Sequence, residues 1–308
     1  MPLDPKPARH RPQTGDQMNT QNVAIIGVGR MGAAMAGTLT RAGFEVTLSN
    51  RTIERARALG SQLGATVSDS PAEAAAAADV IISILADDAA VRSSYLGADG
   101  LVEGLTAGKV VLEMSTIDPS TVAEIRPAVE SGGAVLLDAP VSGSVSLVEA
   151  GSLTIMVGGD EGGLDAARPV LEALAAKIYH LGGSGNGSTM KLAVNGLVHA
   201  INQALSEALV LAEKAGVPRE QAYEVFANSA AGAPFVAYKT QAFLAPDTTP
   251  VAFALDLVVK DLELILGLAE RVGAPMPQGN TNLAAAREAV GRGLGQRDMS
   301  ALAEALRG

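Results

Sequence analysis

The sequence predicts a two-part fold: a doubly wound α/β domain with a parallel sheet, then an all-α domain entered through one long helix. Three observations carry that prediction. Short apolar runs alternate with helical patterns from Val23 to about Gly183, the signature of strands linked by crossover helices. A glycine-rich turn, VAIIGVGRMG at residues 23–32, joins the first apolar run to the first helical pattern. After LGGSGNGS, residues 181–188, strand signals nearly stop and helical stretches take over. The expected divisions are a disordered tail at 1–20, a sheet domain at 21–183 and a helical domain at 184–308.

Each element has its own local reason. VAIIGV is a short buried-strand run that ends in glycines. RMGAAMAGTLTRAG follows as a helix with small residues on one face and Gly43 as its stop. FEVTLSN alternates as a strand does, and TIERARALGSQLG returns to helical periodicity. SPAEAAAAAD begins with Ser70 as N-cap, Pro71 at the first helical position and Glu73 two residues on, a capping-box pattern. VIISIL and KVVLEMS read as buried strands; DPSTVAEI opens another helix, and AVLLDAP closes on a strand. SLTIMVGG and KIYHLG extend the same sheet in this reading. Residues 188–216 form one long helical pattern, ended by Gly216 and Pro218 in the expected order. At 1.5 Å per residue it spans roughly 40 Å.

Composition bounds the function. The chain has 308 residues, 48% hydrophobic and 18% charged, which suits two ordinary domains with sizeable cores. Aromatic residues make up only 3%, so Ala, Leu, Val and Ile must build those cores. A net charge of −10 argues against a nucleic-acid groove, which needs clustered cations. The absence of cysteine excludes disulfides, thiolate catalysis and cysteine zinc sites. Three histidines, His10, His180 and His199, are too widely spaced to suggest a metal site. No apolar run reaches the ~18 residues of a spanning helix, so no membrane partner is expected. Residues 1–20 carry four prolines and lack the apolar core of a secretory signal, and Met18 is a candidate start. A cytoplasmic protein is the expectation.

The glycine turn points to a dinucleotide. Gly27, Gly29 and Gly32 follow a strand and open a helix, the context in which Gly-x-Gly-x-x-Gly holds a pyrophosphate in a Rossmann-type domain. The first glycine permits the turn, the second lets backbone approach the phosphates, and the third lets helix and strand pack closely. Val28, Arg30 and Met31 complete the loop, whose backbone N–H groups face the anion. The second strand ends at Asn50-Arg51-Thr52, where NAD-binding versions carry an acid for the ribose hydroxyls. An acid repels a 2′-phosphate, whereas arginine binds one through forked, charge-assisted hydrogen bonds. Asn50 and Thr52 add neutral donors. The expected cofactor is therefore NADP(H).

Two later stretches, DAPVSGSVSLVEAGSLTIMVGGD at 138–160 and GGSGNGSTMKLAVNG at 182–196, carry a resemblance. With the glycine loop, they resemble the β-hydroxyacid dehydrogenase family, from about Asn22 to Pro277. The resemblance implies that Ser142 and Gly143 hold a substrate carboxylate. It implies that Lys191 is the catalytic lysine, polarising a carbonyl or giving it a proton. Asn195, four residues on and on the same helical face, would orient the substrate oxygen. Thr116, after Ser115, would stand beside the nicotinamide, and Leu85 would pack near the cofactor. The family usually has proline where this chain has Ala86. FALDLVVKDLELIL matches a family segment that sets Lys260 near the nicotinamide and lets Asp261 fix local structure.

The Gly143-Ser144 pair and the long helix are most similar to the branch of NADPH-dependent glyoxylate and succinic semialdehyde reductases. That branch usually has basic residues and a proline where this chain has Val145-Ser146-Leu147, which makes the pocket rim more apolar. The implied reaction passes hydride between NADP(H) and a short aldehyde or keto acid, or the matching hydroxy acid. Two alternatives stand beside it. An imine reductase shares the fold and the Asn-Arg-Thr signal, but usually lacks the lysine and the DAPVSG segment. A catalytically silent cofactor-binding protein would be expected to lose Lys191 or Ser142. The small-molecule substrate aside, the expected partner is a second copy: the long Ala- and Leu-rich helices and the resemblance both suggest a homodimer or tetramer.

Overall fold

The computed structural model describes residues 21–308, and the tail expected at 1–20, with Met18, lies outside the described residues. Six parallel strands form the main sheet: β1 (Asn22–Ile26), β2 (Glu45–Ser49), β3 (Thr66–Val67), β4 (Val80–Ser83), β5 (Val110–Glu113) and β6 (Val135–Asp138). Their order is β3-β2-β1-β4-β5-β6. The chain winds outward one way from β1, then returns to β4 on its other side. That reversal leaves a crevice at the carboxyl ends of β1 and β4, where such sheets bind ligands.

Helices cover both faces of the sheet. They are α1 (Arg30–Arg41), α2 (Ile53–Leu63), α3 (Pro71–Ala76), α4 (Asp88–Leu96) and α5 (Pro119–Ser131). Along β1, Val23 and Ile25 enter one core with α1, while Ala24 and Ile26 enter the opposite core with α3 to α5. Burial on both faces explains why the strands read as continuous apolar runs. Helix starts follow the local signals. The Ser70 hydroxyl accepts from the Glu73 N–H, and the Glu73 carboxylate reaches back to accept from the Asp69 N–H. The two-residue β3 has no apolar run long enough to have been read from sequence.

The later strands depart from the expectation. β7 (Val141–Ser142), β8 (Leu153–Val157) and β9 (Ala175–His180) form a second, three-stranded sheet, with α6 (Val145–Glu149) and α7 (Glu161–Leu174) between them. β7 runs antiparallel to β8, so the parallel winding stops at β6. The cause is local: Pro140 has no N–H to offer a ladder, and its carbonyl instead accepts from Met156 as the chain turns back. A single antiparallel bridge, Asp138 with Gly158, ties the two sheets together.

The helical region begins with α8 (Asn186–Lys214), 29 residues long, followed by α9 (Arg219–Asn228), α10 (Pro234–Leu244), α11 (Leu255–Val272), α12 (Pro277–Ala289) and α13 (Leu302–Arg307). Its core, built on Leu192, Leu209, Tyr223, Phe235, Leu255 and Leu262, is separate from the sheet cores. The first turn of α8 sits directly on the sheet: a Cβ at Gly187 would collide with the carbonyl oxygens of Asp138 and Met156. Among the described residues, no helix is long and apolar enough to cross a membrane.

Candidate active site

The strand register gathers the site. Ser49, Ile26, Ser83, Glu113 and Asp138 are successive Cα partners across β2, β1, β4, β5 and β6. They form one row at the carboxyl edge of the sheet. Gly27, Asn50, Leu85 and Thr116 follow that row within one to three residues, so segments far apart in sequence open onto one crevice.

The glycine loop shows three different steric demands. Gly27 has φ +100, and a Cβ there would strike the Ile84 carbonyl oxygen. A Cβ on Gly32 would overlap the Gly27 carbonyl oxygen. Gly29 is different: a Cβ there would meet nothing within 4 Å. Nothing in the chain itself demands glycine there, and the space beside it is open. No side chain caps α1, and no acid lies in its first turn. The N–H groups of Arg30 and Met31, at the positive end of the helix dipole, therefore remain free for an anion. Open space at Gly29 and an uncapped helix end are what a pyrophosphate requires, so the residues present fit a dinucleotide.

At the end of β2, Asn50 is hydrogen-bonded to the glycine loop and to its own strand end. Its Oδ1 accepts from the Val28 N–H at 3.1 Å, and its Nδ2 donates to the Thr52 carbonyl at 2.9 Å. Asn50 thus braces the glycine loop against β2, and one of its amide protons is already committed. Val28 is buried and gives up its N–H to that brace. Arg30 and Arg51 are both exposed beside the loop, and neither forms an ion pair among the described residues. Thr52 is exposed and makes no side-chain cap to α2.

The floor of the crevice rests on a buried acid. Glu113 is wholly buried; its Oε1 accepts from the Ser115 N–H at 2.8 Å, and the Ser115 hydroxyl accepts from the Leu85 N–H at 2.8 Å. Burial pushes the Glu113 carboxyl above the ordinary carboxylate range, against its hydrogen bonds from Ser115. This chain of bonds fixes Leu85 and the turn that carries Thr116. Ala86, where proline was expected, lies exposed just beyond it.

Asp138 joins sheet to helix. Its Oδ1 accepts from the Gly185 N–H at 2.7 Å and its Oδ2 from the Ser188 N–H at 2.8 Å. It is fully buried and caps the first turn of α8 from a strand fifty residues upstream. Lys191 lies three residues past Ser188, and Ser142 and Gly143 lie four and five past Asp138. Ser142 is half-buried on β7, and Gly143 has φ +148, with Leu147 and Leu153 filling the space behind it. One carboxylate therefore anchors both the segment carrying Ser142 and the helix carrying Lys191.

On α8, Lys191, Asn195 and His199 recur at four-residue spacing and face α11. Asn195 and His199 meet Asp261, 1% exposed. Asn195 Nδ2 donates to Asp261 Oδ2 at 2.6 Å, His199 Nε2 stands 3.6 Å from the same oxygen, and Lys260 Nζ is 3.0 Å from Oδ1. Despite burial, which opposes its ionisation, Asp261 is held below the usual carboxylate range by His199, Lys260 and Lys191. Burial lowers Lys191 to about 8; Asp261 opposes that shift and Lys260 adds to it. The Asn195 amide, expected to face substrate, spends a donor on Asp261. Lys260 Nζ also donates to the Thr116 carbonyl at 2.7 Å, and Arg271 pairs with Asp118 at 2.5 Å, so α11 grips the cofactor side twice. The sequence reading gave no role to His199, Glu113 or the Asp138 cap. The available signals were a four-residue repeat from Lys191 and acids ending two apolar strands.

Known proteins match this arrangement along nearly the whole described chain. Residues 22–182 match the NAD binding domain of 6-phosphogluconate dehydrogenase, and residues 185–306 match the NAD-binding model of NADP-dependent 3-hydroxyisobutyrate dehydrogenase. The chain is 33% identical to glyoxylate/succinic semialdehyde reductase 2 (chloroplastic) of Arabidopsis thaliana, over 96% of this chain and 82% of that one. The crystal structure of 3-hydroxyisobutyrate dehydrogenase from Salmonella typhimurium superposes with a TM-score of 0.84 at 30% identity, covering 92% and 99% of the two chains. An imine reductase from Pseudomonas sp. gives 0.63 at 26% identity, covering 94% and 100%.

Proposed function

This chain belongs to the β-hydroxyacid dehydrogenase family, and from that premise we propose that it is an NADPH-dependent reductase of a short aldehyde or keto acid. The coarser statement, an oxidoreductase that uses a nicotinamide cofactor, follows from the family. The finer one rests chiefly on Lys191, half-buried one turn past the α8 start that Asp138 caps, where burial lowers it to about 8. A lysine with that value changes charge in the range where an enzyme works, which suits proton transfer to a carbonyl oxygen.

Each residue has a task in this reading. Gly29, Arg30 and Met31 would hold the pyrophosphate, and Arg51 with Thr52 the 2′-phosphate, with Asn50 keeping the loop in place. Leu85, Thr116 and Lys260 would border the nicotinamide, which when bound supplies or accepts a hydride. The Ser142 hydroxyl and the Gly143 N–H would take the substrate carboxylate, since a glycine backbone allows close approach. Lys191 gives its proton to the carbonyl oxygen during reduction and takes it back during oxidation. Reduction needs the ammonium form, so its kcat/KM should fall as pH rises through about 8, while alcohol oxidation should rise.

The arginine-bearing end of β2, with no acid at Asn50-Arg51-Thr52, supports NADPH over NADH. The retained Lys191 and Asp138–Gly143 segment favour carbonyl over imine reduction, although the fold is shared with an imine reductase. Met190, Leu197 and Leu211 are 42%, 65% and 72% exposed along α8 and support a second copy of the chain as partner. Elution as a monomer in gel filtration would remove that part.

The deciding experiment assays glyoxylate, succinic semialdehyde and related keto acids with NADPH and NADH, and hydroxy acids with NADP. We expect turnover of at least one short carbonyl acid, faster with NADPH. No turnover across the panel would defeat the proposal, and a preference for NADH would defeat its cofactor part.

A further inference from the structure

His199 is buried at 3% exposure, yet neither ring nitrogen has a hydrogen-bond partner among the described residues. Leaving a buried polar group unpaired costs about 1–3 kcal/mol, which an aliphatic side chain at this position would avoid. The ring lies against Phe253, with centroids 5.9 Å apart, but packing alone needs no imidazole. A carboxylate oxygen, Asp261 Oδ2, stands 3.6 Å from Nε2 and is already bonded to Asn195. A shift of well under 1 Å would bring it to hydrogen-bond length.

The surrounding groups narrow the role. From α8, His199 shares its face with Asn195 and Lys191; from α11, it meets Asp261, whose other oxygen is near Lys260. Behind Phe253, Lys239 and Asp298 are closed on each other at 2.7 and 2.8 Å, and Asp298 also takes the Phe253 N–H. On the next turn of α8, the Asn202 amide donates to the Met299 carbonyl. Among the described residues, Asp261 is therefore the carboxylate placed to receive the imidazole.

We propose that His199 is a positioning residue for the Lys191 proton donor: through Nε2 it holds the Asp261 carboxylate against the α8 face that carries Asn195 and Lys191. Asn195 alone holds Oδ2 at one point and leaves the carboxylate free to turn off α8 about its contact with Lys260. A second donor on the same oxygen fixes the plane. The proposal rests on Lys191 acting as the proton donor, as argued above. Losing the imidazole lets Asp261 turn away, and Lys191 loses part of the counter-charge that opposes the effect of burial.

The test uses the full chain and two readouts. The first is the pH profile of kcat/KM for NADPH-dependent reduction of glyoxylate or succinic semialdehyde. The second is the pH dependence of Lys191 acetylation by trace acetic anhydride, read by mass spectrometry of its peptide, which does not depend on turnover. In His199→Leu, the alkaline limb and the labelling midpoint should both move down by about half a unit or more, a loss of Coulomb support. His199→Gln places an amide nitrogen where Nε2 stood and should restore both. His199→Asn places it where Nδ1 stood and should behave like leucine, which keeps the test available if the leucine variant does not fold. An unmoved midpoint, or an upward move, overturns the proposal, as does equal behaviour of the Gln and Asn variants. If no carbonyl acid is turned over while labelling shifts as described, the reaction assignment fails and the His199–Asp261–Lys191 coupling stands.

Discussion

The two halves of the site are built from different materials. The cofactor loop is local and made of backbone: Gly27, Gly29 and Gly32 within six residues, braced by Asn50 at the next strand end. The Lys191 cluster is non-local and made of side chains. Asn195 and His199 come from α8, Lys260 and Asp261 from α11, and the cluster is tied to Thr116 after β5. One half should be intolerant of added atoms and the other of altered charge.

The largest effect should fall on the charged half. Lys191→Ala should lower kcat by about a thousandfold, within the range for loss of a general acid, equivalent to about 4 kcal/mol. NADPH affinity, read by fluorescence titration, should change less than twofold, because no part of the glycine loop is touched. A large drop in NADPH affinity together with kcat would mean that the two halves are not separable.

The glycine half breaks by bulk. In Gly32→Ala the new Cβ overlaps the Gly27 carbonyl oxygen, and overpacking of this kind costs about 1–3 kcal/mol. The melting temperature should drop by several degrees. Gly29→Ala, whose Cβ points into open space, should melt within about 1 °C of the parent yet bind NADPH about tenfold more weakly, or about 1.4 kcal/mol. Equal thermal losses in the two variants would contradict the division of roles.

Between the halves stands Asp138, which caps α8 from the end of β6. Asp138→Ala removes the acceptor for two buried N–H groups and should cost about 2 kcal/mol of stability, measured by denaturant unfolding. It should also lower kcat more than NADPH affinity, because the first turn of α8 carries Lys191.

How much of this could be read from the chain follows the same division. The loop was legible because each of its demands falls on a residue type with one physical meaning, glycine. The long helix and its end at Gly216 were legible from periodicity. What the pattern hid was pairing across distance. The turn at Pro140 moves β8 and β9 out of the main sheet, although their apolar runs look like those of β4 and β5. Asp138 and Glu113 end apolar strands in the same way, yet one caps a helix and the other supports a turn. Asp261 and His199 are 62 positions apart, and no spacing rule brings them together.

The smallest effect expected is also the one that most sharpens the contrast, because Arg51 is the only residue in the cofactor half asked to act through its side-chain charge. It is exposed, so its interaction with a 2′-phosphate is partly screened, and about 1.5 kcal/mol is a reasonable size for one charge-assisted pair. Arg51→Ala should therefore raise the KM for NADPH by about tenfold while leaving that for NADH unchanged, and the gap should narrow as salt is added. Arg51→Asp should go further, because an acid there repels the phosphate and can accept from the ribose hydroxyls, so NADH should gain. If both cofactors weaken equally in the alanine variant, Arg51 supports the loop rather than reading the phosphate. The exposed Arg30 would then be the cation left to carry the discrimination.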